Sequence, residues 1–409
     1  MRGLIPIFLA LTACQTHSVQ YTTSESVAPI KPIITNDTTT FRELPLAASL
    51  TQLPWTSDSW VTIHGGAAFR WQLAKADEAD DIDDLQPFIH YPIGASRDVT
   101  HLSPIEKLDL YQGNSDWQLT HKERVRTLDP TRADIPDWEG MMHAWSAASL
   151  QFQPVAPVTL QSKTGGSIPF ESQDIYSLIS LFVHEQSPKP IVLASICPDA
   201  ELGAAAGPYA FENEKQNLRR RACPPIDPAK FHTVLANQIG KRNEGFIIDR
   251  DQAGEISNNP VVAYESRILE KPGEPPAPNS QKTLHIKTVV FLTASTPIIA
   301  MDEEDEAYPY ESEAYEYELT LDQNGKIASG RWLTPVGSNS NQSRPDFMWK
   351  SSPVWLNGPI KAVYERARES LVEQKKPKQK QLRPLEDMPS TERQSLNSYF
   401  NSSNGTTQF

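Results

Sequence analysis

The sequence predicts an α+β fold, and three stretches carry that prediction. After Gly140 comes an Ala-rich run with apolar residues at Trp145, Ala148 and Phe152, close to helical spacing. Phe231-His232-Thr233-Val234-Leu235-Ala236 and Gly245-Phe246-Ile247-Ile248-Asp249 read as two strands joined by the polar turn Lys241-Arg242-Asn243-Glu244. Residues 283–332 are strand-rich and contain Asn324-Gly325, a strong two-residue hairpin signal.

Taken in order, the chain opens with a basic Arg2, a short apolar run from Leu4 to Leu11, and Leu11-Thr12-Ala13-Cys14. The run is too short to span a bilayer. The four residues fit a bacterial lipobox, whose cysteine is acylated and becomes the mature N-terminus, so residues 1–13 read as a lipoprotein signal peptide. Gln15 after that cysteine points to the outer membrane, and an ordinary cleaved signal peptide is the competing reading. Residues 14–50 are rich in Thr and Ser without helical periodicity and read as a disordered tether. The body spans 51–359. Its first part is aromatic and strand-like around Trp60-Val61-Thr62-Ile63 and Phe69-Arg70-Trp71-Gln72, then broken by an acidic loop from Asp77 to Asp84. A core of helices and a hairpin follows over 105–264.

Beyond a Pro-rich break at Pro272 to Pro278, an antiparallel extension is expected over 280–350. Thr283 to Leu292 is one long strand, Tyr315 to Leu321 alternates well, and Asn324-Gly325 turns the chain into Ile327 to Trp332. Ile360, Val363, Tyr364, Ala367 and Leu371 mark one amphipathic helix over 360–374, and the Lys/Gln/Ser/Asn-rich segment 375–409 reads as a disordered tail.

A net charge of −13 argues against nucleic acid as a partner. Thirty-four prolines suit a loop-rich extracytoplasmic protein. The clusters Asp77 to Asp84 and Asp302 to Glu306 lack an EF-hand pattern and read as solvated loops rather than Ca²⁺ sites, so no metal or other cofactor is expected. The basic stretch Lys375 to Lys380 reads as a solubilising tail, with lipid headgroups or an acidic polymer as the alternative contact.

An ordered series of short segments resembles the transglutaminase elicitor family. It runs through Pro54-Trp55, Ala68-Phe69-Arg70-Trp71, Leu102-Ser103-Pro104-Ile105-Glu106-Lys107 and Trp138-Glu139-Gly140-Met141-Met142-His143-Ala144-Trp145. It continues with Ile168-Pro169-Phe170, Asp174-Ile175, Asp227-Pro228 through Gly240, Asn258-Asn259-Pro260-Val261, and Ser343-Arg344-Pro345-Asp346-Phe347-Met348-Trp349. The resemblance implies a papain-like transglutaminase core: a helix carrying a cysteine nucleophile packed on an antiparallel sheet carrying a histidine and an aspartate, here His232 and Asp249. It also implies a binding role for His143, Trp145 and Asn258, although His143 reads equally well as a structural histidine. Two positions depart from the family: Met142 stands where the nucleophilic cysteine belongs, and Ser257 replaces the tryptophan of the elicitor segment.

The first departure has a direct chemical consequence. Acyl transfer from a glutamine carboxamide needs a thiolate, and a thioether has no proton to lose. The chain has only three cysteines. Cys197 and Cys223 flank a Gly/Ala-rich loop at family positions, and in an oxidising compartment such cysteines are expected to pair. A bridge closing about 27 residues would contribute roughly 3 kcal/mol on the chain-entropy account; free thiols are the alternative. Two functional readings follow. One is a catalytically inactive, transglutaminase-like outer-membrane lipoprotein whose cleft binds glutamine- or lysine-bearing polypeptide or a cell-wall peptide. The other is an active acyltransferase or hydrolase with a relocated nucleophile, for which Ser146, one helical turn beyond Met142, is the nearby hydroxyl.

Overall fold

The computed structural model describes residues 37–79, 82–96, 98–131, 135–136, 139–195, 226–250, 257–269, 282–301, 310–335, 344–345 and 347–373. Its helices are α1 (Trp71–Ala76), α2 (Ile82–Ile89), α3 (Pro104–Gln112), α4 (Gln118–Thr127), α5 (Met142–Gln151), α6 (Ser172–Gln186), α7 (Pro228–Leu235) and α8 (Gly358–Glu373). The strands are β1 (Ala47–Ser49), β2 (Val158–Gln161), β3 (Ser167–Phe170), β4 (Pro190–Ser195), β5 (Phe246–Asp249), β6 (Asn258–Leu269), β7 (Lys282–Thr293), β8 (Tyr310–Leu321), β9 (Ile327–Pro335) and β10 (Phe347–Ser351).

An antiparallel sheet in the order β4-β10-β5-β6-β7-β8-β9 organises the molecule, with β1 continuing the lane of β5 along β6. Strand alternation sorts side chains between its two faces. On β5, Ile247 joins the larger core, which contains α5, α6 and α8, while Phe246 and Ile248 join a second core built around α7. On β10, Phe347 and Trp349 face the first core and Met348 the second. Helices α5 and α7 therefore lie on opposite faces.

The long strands follow the sequence reading. Residues 282–293 pair with 310–321 along their whole length, and Asn324-Gly325 turns the chain into β9, with Gly325 at φ +75°. Helix α8 covers the amphipathic segment expected over 360–374 and buries Ile360, Val363 and Ala367.

Four local expectations are corrected. Residues 231–236, expected as a strand, belong to α7 and a π-helical turn, Ala236–Lys241. The signals for this lie just upstream: Asp227 caps the helix by accepting the Ala229 amide at 2.6 Å, Pro228 occupies its first turn, and Phe231, Val234 and Leu235 repeat at helical spacing. Trp60 to Ile63 is not a strand but part of a strap, residues 57–69, that winds through two short 3₁₀ turns hinged at Gly65, φ +93°, and Gly66, φ +54°. Trp71 and Gln72, expected in a strand, open α1, and the acidic stretch ending at Asp84 is only partly a loop because α2 starts at Ile82.

The segment 37–50, expected as part of the tether, is folded on the body. Phe41 donates its amide to Gly325, Thr38 and the Asn237 side chain exchange hydrogen bonds, and β1 pairs with β6. Cys14, Cys197 and Cys223, the cluster Asp302 to Glu306 and the tail from residue 374 lie outside the described residues.

Three of the segments that carried the resemblance, around Arg70-Trp71, Ser103 to Lys107 and Asp174, meet as a buried frame. Ser103 and Glu106 form a capping box on α3. Glu106 takes a two-pronged contact from Arg70, at 2.7 and 3.0 Å. The next residue, Lys107, places Nζ 2.6 Å from Asp174 of α6, whose other oxygen accepts from the Trp71 indole at 2.8 Å. Both members of that second pair are fully buried.

Candidate functional site

Met142 is the first residue of α5 and is half-buried against the larger core. The turn leading into it is held under the strap. The Met141 amide donates to the Ser59 carbonyl at 2.7 Å, and the Thr62 amide donates to the Glu139 carbonyl at 2.7 Å. Only glycine fits between them: a Cβ on Gly140 would lie 2.8 Å from the Ser59 oxygen and 3.1 Å from the Val61 Cα. The strap is strained there, because Trp60 sits at φ +52° with its indole donating to Ser57 Oγ. The start of α5 carries the positive end of the helix dipole, a setting that stabilises a thiolate and gives a thioether nothing to do.

The sheet floor beneath α5 is polar. Ser146 Oγ donates to the Asn258 carbonyl at 2.6 Å, and the Trp349 indole donates to Asn258 Oδ1 at 3.0 Å. Asn258 is buried, and its side-chain nitrogen has no hydrogen-bond partner among the described residues. Asp249 pairs with Asn258 across the β5–β6 ladder; by alternation with Ile247 it faces α5, and it accepts the Ser257 amide at 3.1 Å. Met142, Ser146, Asp249 and Asn258 thus share one face of the sheet.

His232 does not join them. It lies on α7, across the sheet, and is fully buried. One ring nitrogen contacts the Tyr317 hydroxyl at 2.8 Å, the other has no partner among the described residues, and Phe41 stacks on the ring. Burial lowers its pKa from 6.5 to about 4, so the ring is neutral near pH 7. In this geometry His232 cannot serve as the base for a nucleophile on α5; the expectation failed with the misread strand.

His143 and Trp145, expected to bind a ligand, are buried at 2% and 0% exposure. His143 points into the α5–α6 interface, its Nε2 lying 3.1 Å from His184 Nδ1. Ser146 is fully buried with its hydroxyl hydrogen committed to a carbonyl, and the relocated-nucleophile reading finds no basic partner for it among the described residues.

A cavity of about 120 Å³, which the sequence reading missed, opens on the far side of the strap. Asp58, Ser59, His64, Phe69, Ser295 and Ile298 contribute to its lining. Asp58 accepts the amides of Trp60 and Ile298, each at 2.7 Å, and so ties the strap to the segment after β7. Burial raises the Asp58 carboxyl above its ordinary range and lowers the His64 imidazole, against the opposing pull of each group's charge on the other. The local signal was legible: an aspartate bonding the amide two residues on is an Asx turn, and such a turn before Gly65-Gly66 marks an irregular segment.

With this geometry in view, the transglutaminase elicitor family model matches residues 34–355. Among solved structures, the GP42 transglutaminase from Phytophthora sojae is similar, with a TM-score of 0.53 and 18% sequence identity. The alignment covers 82% of this chain and 95% of that one. At that identity the likeness concerns the fold. No curated protein matches the chain.

Proposed function

The chain belongs to the transglutaminase elicitor family, and from that premise we propose that it is a catalytically inactive, transglutaminase-like envelope lipoprotein. On this reading the core is papain-like and Met142, at the head of α5, stands in for the nucleophile, with Asp249 and Asn258 on the sheet beneath. The cleft binds glutamine- or lysine-bearing polypeptide, or a cell-wall peptide, without turning it over, and acylated Cys14 holds the protein at the outer membrane.

The observation that carries this reading is Met142 itself, the residue that opens the helix packed on the sheet. Loss of a nucleophile from a catalytic triad typically removes several powers of ten in rate and leaves binding behind. Three further observations support it: His232 lies on the opposite face of the sheet, Ser146 is engaged with a carbonyl, and the sheet beneath α5 is polar.

The test is Met142→Cys. The new thiol, at a helix N-terminus, is expected to react with iodoacetamide faster than a free cysteine, as resolved by peptide mapping. A His232→Ala background should leave that rate unchanged, because the ring is across the sheet. The unaltered protein should incorporate no amine into a glutamine donor. Robust turnover by the unaltered protein would overturn the proposal, and sluggish labelling of Cys at position 142 would remove Met142 from the nucleophile position.

A further inference from the structure

The packing of α5 on α6 brings two imidazoles together, their planes tilted by 49°. His143, the second residue of α5, and His184 lie 3.1 Å apart, nitrogen to nitrogen. In such a bond one ring donates and the other accepts, so the accepting ring must be neutral. Beside them sits Arg126 of α4, whose Nε and Nη2 donate to Glu123 at 2.8 and 2.7 Å.

Glu123 does a second job. Its Oε1 accepts the Ala67 amide at 3.0 Å and fixes the strap. The fit is tight, since a Cβ on Gly66 would lie 2.5 Å from that oxygen and 2.7 Å from the Arg126 guanidinium. Among the described residues, the other charges facing this cluster are Glu139, just before α5, and Glu185 of α6, which is bonded to Lys122 of α4 at 2.6 Å. One set of side chains therefore joins the α5–α6 contact to the strap over the Met142 turn.

We propose that the His143–His184 pair is an acid-sensitive latch: taking up a proton on each ring separates the first turn of α5 from α6, loosens the strap, and uncovers Met142 while the rest of the fold stays closed. One proton on the donating ring leaves the N–H to N bond in place as a charge-assisted contact, whereas a proton on each ring leaves no acceptor nitrogen and breaks it. The two charges then lie beside each other and Arg126, and the one on His143 also sits at the positive end of the α5 dipole. Glu123 cannot swing over to neutralise them without releasing Arg126 and the Ala67 amide. Separation is the available relief, and it runs through the strap.

Burial, with Arg126 adding to it, lowers His184 from 6.5 to about 4, and burial, His184 and Arg126 lower His143 well below its ordinary value. For His184 alone, a ring near 6.5 when opened and about 4 when closed makes opening about seventyfold more favourable at about pH 4.5 than at about pH 7.5.

Peroxide oxidation of methionine, mapped by peptide mass spectrometry on the full chain across that pH range, reads the latch directly. Met142 reports the opening, and Met348, fully buried on β10, reports global unfolding. The expected result is a rise of tenfold or more in the Met142 rate on acidification, with Met348 still protected. The His143→Gln/His184→Gln chain should lose the rise. A flat Met142 rate overturns the proposal, as does a parallel rise at Met348, or an undiminished rise in the double variant. The comparison of the two methionines in the unaltered chain decides the matter even if the variant fails to fold.

Discussion

Lys107→Met is the substitution that best probes the frame under the site. Lys107 and Asp174 are both fully buried, 2.6 Å apart, and the ammonium also reaches Gln72 Oε1 at 3.2 Å. Methionine keeps most of the stem volume but leaves the Asp174 carboxylate with only the Trp71 indole and the Glu171 amide as donors. Removing one partner of a buried ion pair strands the other, and the cost is about 3–5 kcal/mol. Urea unfolding followed by fluorescence should register that loss as a lower midpoint at little-changed slope. Adding Asp174→Asn should recover part of it, because the amide keeps an acceptor for the Glu171 cap and removes the stranded charge. The two substitutions should therefore couple by about 1–3 kcal/mol in a double-mutant cycle. A single-variant loss below about 1 kcal/mol, or strict additivity, would refute the reasoning and make the pair an incidental contact.

Three further outcomes are expected. His232 has a folded-state pKa of about 4 against 6.5 unfolded, so the unfolded chain binds the proton first; its contribution is fully present above about pH 6.5 and drains away as pH falls toward about 4. That share amounts to about 2 kcal/mol between about pH 8 and about pH 5, and urea titrations of His232→Gln should show the acid dependence reduced by this amount. Ser146→Ala removes the bond to the Asn258 carbonyl and should lower stability by about 1–2 kcal/mol with no enzymatic consequence; loss of a measurable turnover in that variant would reinstate Ser146 as a nucleophile. Cys14→Ser should move the protein from the detergent phase to the soluble fraction, and unchanged membrane association would sink the lipid anchor.

Elements with a strong local period were readable without coordinates. The helix opened by Met142, the long strand at 282–293, the Asn324-Gly325 hairpin and the amphipathic helix near the end of the body each carry their own spacing, and each forms where that spacing puts it. The substitution at the expected nucleophile position is also a matter of sequence, since the chemistry of a thioether does not depend on its surroundings. What escaped was facing. The run Phe231 to Ala236 is short and apolar, and such runs suit a buried strand or a buried helix equally; Asp227 and Pro228, just outside the window, settle it as a helix. Once α7 is a helix, its side of the sheet depends on the strand order β10-β5-β6, in which β10 and β5 pair residues about a hundred positions apart. That order puts His232 behind the sheet from Met142, while the packing of helices turns His143 toward His184 rather than toward solvent and gathers Arg70, Glu106, Lys107 and Asp174 into one buried frame. Periodicity is a property of neighbours along the chain, whereas the face a residue presents to a site is set by partners the chain reaches only after it has folded.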